Sequence, residues 1–146
     1  MQDPKNQAIN LYAGTPWESF LSKFKFWEEP YEAVDRLLPD RGKILDLGCG
    51  EGLLSNYLAI ASPQRKIFGI EIASERLMRA KKGIKNASFS VGDIIKVPYP
   101  KSDAVVLFHV LHHLSSKNAQ EEVIKKTKDS LEKNGKLVIV EVHVKP

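Results

Sequence analysis

The nine residues Ile44-Leu45-Asp46-Leu47-Gly48-Cys49-Gly50-Glu51-Gly52 constrain this chain more than any other stretch. The apolar run from Lys43 to Leu47 predicts a short buried strand. Beyond it Leu53, Leu54, Tyr57, Leu58 and Ala61 recur at helical spacing. Between strand and helix stand three glycines at alternate positions. Glycine takes positive φ freely and has no Cβ to block a ligand. The following helix turns its free N–H groups and positive dipole end towards the same point. An ordinary tight turn would also use a glycine. Three of them behind a strand-ending aspartate mark a candidate nucleotide-type site.

At 146 residues the chain has room for one domain with a full core. Its 42% hydrophobic and 27% charged residues are ordinary for a globular protein. No apolar run approaches the roughly 20 residues of a transmembrane helix, and Asp3-Pro4-Lys5-Asn6 shows no signal-peptide hydrophobic region. A single cysteine excludes an intramolecular disulfide and a multi-cysteine metal site, so no metal is expected. It also fits a reducing cytoplasm, the expected location. The net charge of +4 could serve an anionic partner such as RNA or a phospholipid surface. Lys81, Lys82, Lys125, Lys126, Lys128 and Lys133 are nevertheless spread along helices and mixed with acids, which favours a solvated surface over nucleic-acid binding.

Residues 1–14 read as irregular. Thr15-Pro16-Trp17-Glu18 then carries a helix start, with Thr as N-cap, Pro at the first position and Glu at the third. Trp17, Phe20, Leu21, Phe24 and Trp27 fall on one face of that helix. Packing of this face against the sheet domain is the favoured expectation. A lid over a site and, with Lys23 and Lys25 opposite, a membrane-surface helix are the alternatives. Pro30 restarts a helix through Tyr31, Val34, Leu37 and Leu38, closed by Pro39. After the glycine turn a helix runs to about Ser62-Pro63, and Lys66 to Glu71 is a second strand. Ser74 is expected to cap a helix ended by Gly83. Ala87 to Val91 is a third strand and Asp103 to Val110 a fourth, almost continuously apolar, as a strand buried on both faces would be. Ala119, Val123, Ile124, Thr127 and Leu131 mark a helix stopped at Asn134-Gly135. Lys136 to Val144 is the fifth strand. Such alternation predicts an α/β fold: a Rossmann-like, doubly wound parallel sheet of about five strands with helices on both faces. Residues 1–39 form an N-terminal helical extension or lid, and residues 40–146 the sheet domain.

In such sheets ligands bind beyond the carboxyl ends of the strands, where the winding reverses. Alternation puts Asp46, Glu71, Asp93 and His109 in that row. Glu71 closes the second strand 19 residues after Gly52, where a carboxylate can accept from both hydroxyls of a ribose diol and would repel a 2′-phosphate. Asp93 is placed to accept from an exocyclic amine such as that of adenine, with Ile94 as an apolar wall; a simple turn aspartate is the plainer reading. Asp46, two residues before the first glycine, suits an ammonium group and not a pyrophosphate. No second nucleotide-binding half follows, which also weighs against a dinucleotide.

Together with Glu71, Gly92-Asp93 and Phe108-His109-Val110-Leu111-His112-His113-Leu114, the glycine stretch resembles the class I S-adenosylmethionine-dependent methyltransferases. The similarity is closest to the broad small-molecule group called methyltransferase type 11 or 12 and covers roughly residues 40–144. It implies that Asp46, Gly48, Cys49 and Gly50 line the methionine part of S-adenosylmethionine, Asp46 through its amino group. Glu71 would hold the ribose hydroxyls, Ile72 would pack on adenine, and Asp93 would face the adenine amine beside Ile94. Phe108 would back the sulfonium, and His109 would sit where donor meets acceptor. S-adenosylhomocysteine would be the product. Cys49 as a nucleophile is the alternative to a small residue tolerated inside the turn.

His109 is the candidate catalytic base, for acceptors that must lose a proton; packing beside the cofactor without proton transfer is the alternative. Of His112 and His113, one can face the pocket and the other solvent, and His143 reads as structural. Family members usually continue into two further antiparallel strands, whereas this sequence stops at Lys145-Pro146. The expectation is a chain truncated after the fifth strand, or one whose apolar edge at residues 137–144 self-associates. The function expected is methyl transfer to a small-molecule or lipid-like acceptor, with peripheral membrane contact through the aromatic helix as a further option. A non-catalytic cofactor-binding or scaffold module and an RNA methyltransferase are the alternatives. The last rests only on the basic charge, because the Asn/Asp-Pro-Pro-Tyr/Phe type of motif is absent after the fourth strand.

Overall fold

The structure, a computed structural model, describes residues 2–142. It opens with a helix, α1 (Pro4–Leu11), where the sequence reads as irregular. Asp3 accepts from the Lys5 N–H at 3.3 Å and proline begins the helix. Only Ala8 and Ile9 face inward, too few to display a period over two turns.

Helix α2 (Pro16–Glu28) starts as the sequence dictates. The Thr15 hydroxyl accepts from the Glu18 N–H at 3.1 Å, and the Glu18 carboxylate accepts from the Thr15 N–H at 2.9 Å. Its aromatic face does not pack on the sheet. Trp17, Phe20, Leu21, Phe24 and Trp27 are 66, 56, 41, 43 and 81% exposed, and the buried residues are Ser22 and Phe26. Phe26 meets Tyr31 and Tyr57 edge-on, with centroids 5.0 and 5.3 Å away. Ser22 donates to its own helix at the Glu18 carbonyl, 2.9 Å, so its hydroxyl enters the interior satisfied. One ring in a three-ring cluster thus outweighs four rings and a leucine on the other side. Periodicity shows which residues share a face, not which way that face points.

Helix α3 (Tyr31–Leu37) leads into the sheet strands β1 (Gly42–Leu47), β2 (Arg65–Glu71), β3 (Ala87–Val91), β4 (Ser102–Phe108) and β5 (Leu131–Val140). All pair in parallel, in the order β3-β2-β1-β4-β5. Helices α4 (Leu53–Ala61), α5 (Ser74–Ala80) and α6 (Lys117–Ser130) and a 3-10 turn at Leu111–His113 complete this Rossmann-like fold. Alternation along the strands feeds two cores. Ile44, Ile67, Ala104, Val106 and Val138 pack with the N-terminal helices and α4; Leu45, Leu47, Ile70, Val105 and Leu107 pack with Val110 and Val123. No helix among the described residues is long and apolar enough to cross a membrane.

Several boundaries differ from expectation. Ala73, not Ser74, is the N-cap of α5, with no side-chain cap, and the helix ends at Ala80, ahead of Gly83. β4 stops at Phe108 because His109 takes φ +54. α6 ends at Ser130, and β5 begins at once: Ser102 pairs with Leu131 and Ala104 with Lys136, the extra β5 residues being taken up around Asn134, φ +65. β5 is an edge strand as expected and ends at Val140; His143 and the rest of 143–146 lie outside the described residues.

Arg65, 1% exposed, ties the layers together. Its guanidinium donates to the Asp35 carboxylate at 2.5 Å, the Pro39 carbonyl at 2.8 Å and the Leu58 carbonyl at 3.2 Å. A buried cation is tolerated only when paired and bonded in this way.

Candidate functional site

The chain adds β2 and β3 on one side of β1, then returns to add β4 and β5 on the other. The carboxyl ends of β1 and β4 therefore diverge, and a crevice opens between them. A cavity of about 1050 Å³ occupies this end of the sheet. Asp46, Gly48, Cys49, Gly50, Glu71, Ile72, Asp93, Ile94, Phe108 and His109 all line it. Strand register alone brings these ten together from four separate stretches of chain.

Asp46 forms part of the cavity floor. Its position in β1 aims it at α4, where the Ser55 hydroxyl donates to it at 2.5 Å, and it is 1% exposed. Burial pushes its carboxyl up to about 7; the Ser55 hydrogen bond opposes that rise and the Glu71 charge adds to it.

The glycine turn serves the fold as much as any ligand. A Cβ on Gly48, at φ +71, would lie 2.8 Å from Val110 Cγ2. One on Gly52, at φ +74, would lie 2.6 Å from Ala80 Cβ, so the third glycine lets α4 and α5 approach and does not face the cavity. The turn's amides are spent internally. Gly48 and Cys49 N–H both donate to the Ile70 carbonyl, at 2.8 and 3.0 Å, and Gly50 N–H donates to Glu71 Oε2 at 2.8 Å. Glu71, 5% exposed, also accepts from the Ala73 N–H at 3.0 Å through Oε1. It braces the glycine turn and the start of α5 together.

Burial, helped by the Asp46 and Glu71 charges, pushes the Cys49 thiol far above its usual range. A thiol held protonated is no nucleophile at neutral pH, so Cys49 is a wall of the turn.

On the third strand's side, Asp93 Oδ1 accepts from the Ile95 N–H at 2.9 Å. Lys126 of α6 fixes the segment that follows, donating to the carbonyls of Ile94, Ile95 and Val97 at 2.8, 3.0 and 2.6 Å. Ile94 is buried and Ile72 stands 65% exposed at the rim.

Phe108 lies against Tyr31, with centroids 5.2 Å apart, and next to His109 at 4.6 Å. His109 Nε2 is 2.8 Å from Glu29 Oε2, and its buried Nδ1 has no partner among the described residues. His113 lines the cavity, whereas His112 turns away to Glu141 Oε2 at 2.7 Å.

Sequence reasoning missed Glu29, Tyr12 and Arg76 in this wall. Glu29 stands 80 residues from its histidine, and no local pattern links the two. Tyr12 belongs to the stretch read as irregular; its hydroxyl donates to the Glu51 carbonyl at 2.7 Å and accepts from Asn56 Nδ2 at 2.8 Å. Among the described residues, no cluster of three His, Cys, Asp or Glu side chains is arranged to hold a metal ion.

A family model described as a methyltransferase domain matches residues 39–145. An uncharacterized methyltransferase of Bacillus cereus is 34% identical over 102 residues, covering 68% of this chain and 47% of that protein. One of Schizosaccharomyces pombe is 29% identical over 130 residues, covering 78% of this chain and 46% of that protein. A solved structure of a putative O-methyltransferase from Nostoc punctiforme superposes with a TM-score of 0.70 at 25% identity, covering 91% of this chain and 46% of that one. The chain spans about half the length of the curated relatives it matches. With the family model spanning most of its length and a methyltransferase relative 34% identical over 68% of the chain, the chain belongs to the class I S-adenosylmethionine-dependent methyltransferases.

Proposed function

We propose that this chain is the cofactor-binding part of an S-adenosylmethionine-dependent methyltransferase that acts on a small-molecule or lipid-like acceptor. The observation that carries this reading is the pair of buried acids, Asp46 and Glu71, under a glycine turn whose amides are already bonded to β2. Such a floor repels a pyrophosphate and receives an ammonium group and a diol. The residues therefore fit S-adenosylmethionine better than a dinucleotide.

S-adenosylmethionine, when bound, supplies a methyl group on a sulfonium for in-line displacement by the acceptor. Asp46 would take the ammonium, Glu71 the ribose hydroxyls and Asp93 the adenine amine, with Ile72 and Ile94 against the ring. Gly48, Cys49 and Gly50 would line the methionine end, and Phe108 would keep water from the reacting centre. The acceptor class rests on the cavity. Its roughly 1050 Å³ exceeds what one nucleoside-sized ligand fills, and Leu11, Leu21 and Leu114 on its wall give an apolar character.

Titration calorimetry tests the cofactor: S-adenosylmethionine and S-adenosylhomocysteine should bind and NAD should not. Binding of NAD in their place would sink the reading.

In the tautomer whose Nε2–H donates to Glu29 Oε2, Nδ1 is the ring's remaining acceptor. Nδ1 is buried in the ligand-free protein, so for His109 to receive a proton from an acceptor hydroxyl or amine the ring must expose that nitrogen when the acceptor binds, with Glu29 orienting the ring. Asparagine tolerates positive φ, so His109→Asn should keep the backbone and the cofactor affinity. Turnover with a proton-bearing acceptor should fall by roughly 100-fold or more. Unchanged turnover would leave His109 a packing residue.

A further inference from the structure

We propose that the exposed aromatic stripe of α2 is a docking surface for a membrane bearing anionic phospholipid, independent of whether the chain transfers methyl groups. Trp17, Phe20, Phe24 and Trp27 form one continuous ladder along the helix, with successive centroids 5.7, 6.3 and 6.0 Å apart. Leu21 lies beside it, and all five side chains are between 41 and 81% exposed. Together they present on the order of 600 Å² of mostly apolar surface. A soluble monomer's largest patch rarely exceeds that area, and such patches mark contact sites.

The stripe does not belong to the cavity. Ser22 and Phe26, from the opposite side of α2, are the buried residues. Turning the stripe inward would pull Phe26 from between Tyr31 and Tyr57. The helix is therefore a fixed wall of the cavity with an apolar outer surface.

Charge and residue type identify the occupant. At 100° per residue, Lys23 and Lys25 emerge at about 100° to either side of the stripe's centre. Neither has an ion-pair partner among the described residues. Lysines flanking an aromatic face can lay their stems along the hydrocarbon boundary and reach headgroup phosphates. Tryptophans at both ends of the stripe suit the interfacial zone, where an apolar ring carries one N–H donor. Glu18 is occupied in the helix cap, and Glu28, one turn beyond Lys25 at the C-terminal end of the stripe, forms no ion pair among the described residues. The chain's net charge of +4 adds a general attraction to an anionic surface. Leu21 borders both the stripe and the cavity, so docking would bring the cavity mouth to the lipid boundary.

Trp17 and Trp27 are the only tryptophans of the chain, so intrinsic fluorescence reports on the stripe alone. Phosphatidylcholine vesicles containing phosphatidylserine should shift the emission to the blue and co-sediment with the protein. Pure phosphatidylcholine vesicles should bind several-fold more weakly. Phe20→Gln with Phe24→Gln should reduce vesicle binding by at least about tenfold while leaving the tryptophans and cofactor affinity in place. Lys23→Glu should weaken binding to the anionic vesicles alone. No blue shift with either vesicle, equal binding by the double variant, or a dimer in sedimentation that the double variant dissolves would each overturn the proposal. The last would identify a second copy of the chain as the occupant.

Discussion

Replacing Glu71 with alanine should weaken S-adenosylmethionine binding by about 100-fold and destabilise the ligand-free protein at the same time. The first effect follows from the proposed ribose contact. Hydrogen bonds to a charged carboxylate contribute about 1.5–3 kcal/mol each, and about 1.4 kcal/mol is tenfold in affinity. Two ribose hydroxyls are therefore enough. The second effect needs no ligand. Glu71 already accepts from Gly50 and Ala73 N–H groups, and stranding a buried donor costs about 1–3 kcal/mol. Glu71→Gln separates the two. Its amide oxygen can keep one backbone bond, so denaturant unfolding should show partial recovery of stability. Its single acceptor cannot serve both hydroxyls and both amides, so calorimetry should still show weak binding. A folded Glu71→Ala protein that binds S-adenosylmethionine like the parent would remove Glu71 from the ligand site and leave it a brace.

The parts of this site that the sequence discloses are those fixed by local pattern. A strand buried on both faces leaves an unbroken apolar run, so β1 and β4 are visible, and the polar residue ending each strand is then placed by register. Asp46, Glu71 and Asp93 are found this way. What stays hidden depends on partners distant along the chain. Arg65 looks like a surface residue at a strand start; only the tertiary fold brings Asp35, Pro39 and Leu58 around it. Glu29 looks like the charged end of a helix until β4 delivers His109 to it. The glycine turn looks like a ligand cradle. The pairing of Leu47 with Ile70 then shows that its amides are consumed by β2. Helix α2 is the clearest case: its period is plain, but its orientation is decided by Phe26 against two tyrosines.

Affinity for S-adenosylhomocysteine should fall about tenfold between pH 8 and pH 6, because its ammonium must take a proton's place on Asp46. In the ligand-free protein burial holds that carboxyl near 7, against 3.8 for an exposed one. The folded chain therefore keeps a proton between about pH 4 and 7 that the unfolded chain has lost. Stability from this group is complete below about pH 4 and is lost as pH rises through about 7. Ligand binding has the opposite sense. The carboxylate is needed, and the ligand's amino group stays charged over the range, so acid opposes binding and binding at pH 6 should release a proton. Calorimetry in two buffers of different ionisation enthalpy measures that release directly. Asp46→Asn is nearly isosteric with the protonated acid and can still accept from Ser55, so it should fold well. It should gain stability over the parent at pH 8 and lose that gain progressively as the pH falls to about 4. Its affinity should fall on the order of 100-fold, the scale of losing one partner of a buried charge pair, and should no longer vary with pH. A flat profile for the parent would show that Asp46 is ionised before the ligand arrives. A slope that survives in Asp46→Asn would assign the proton to another group.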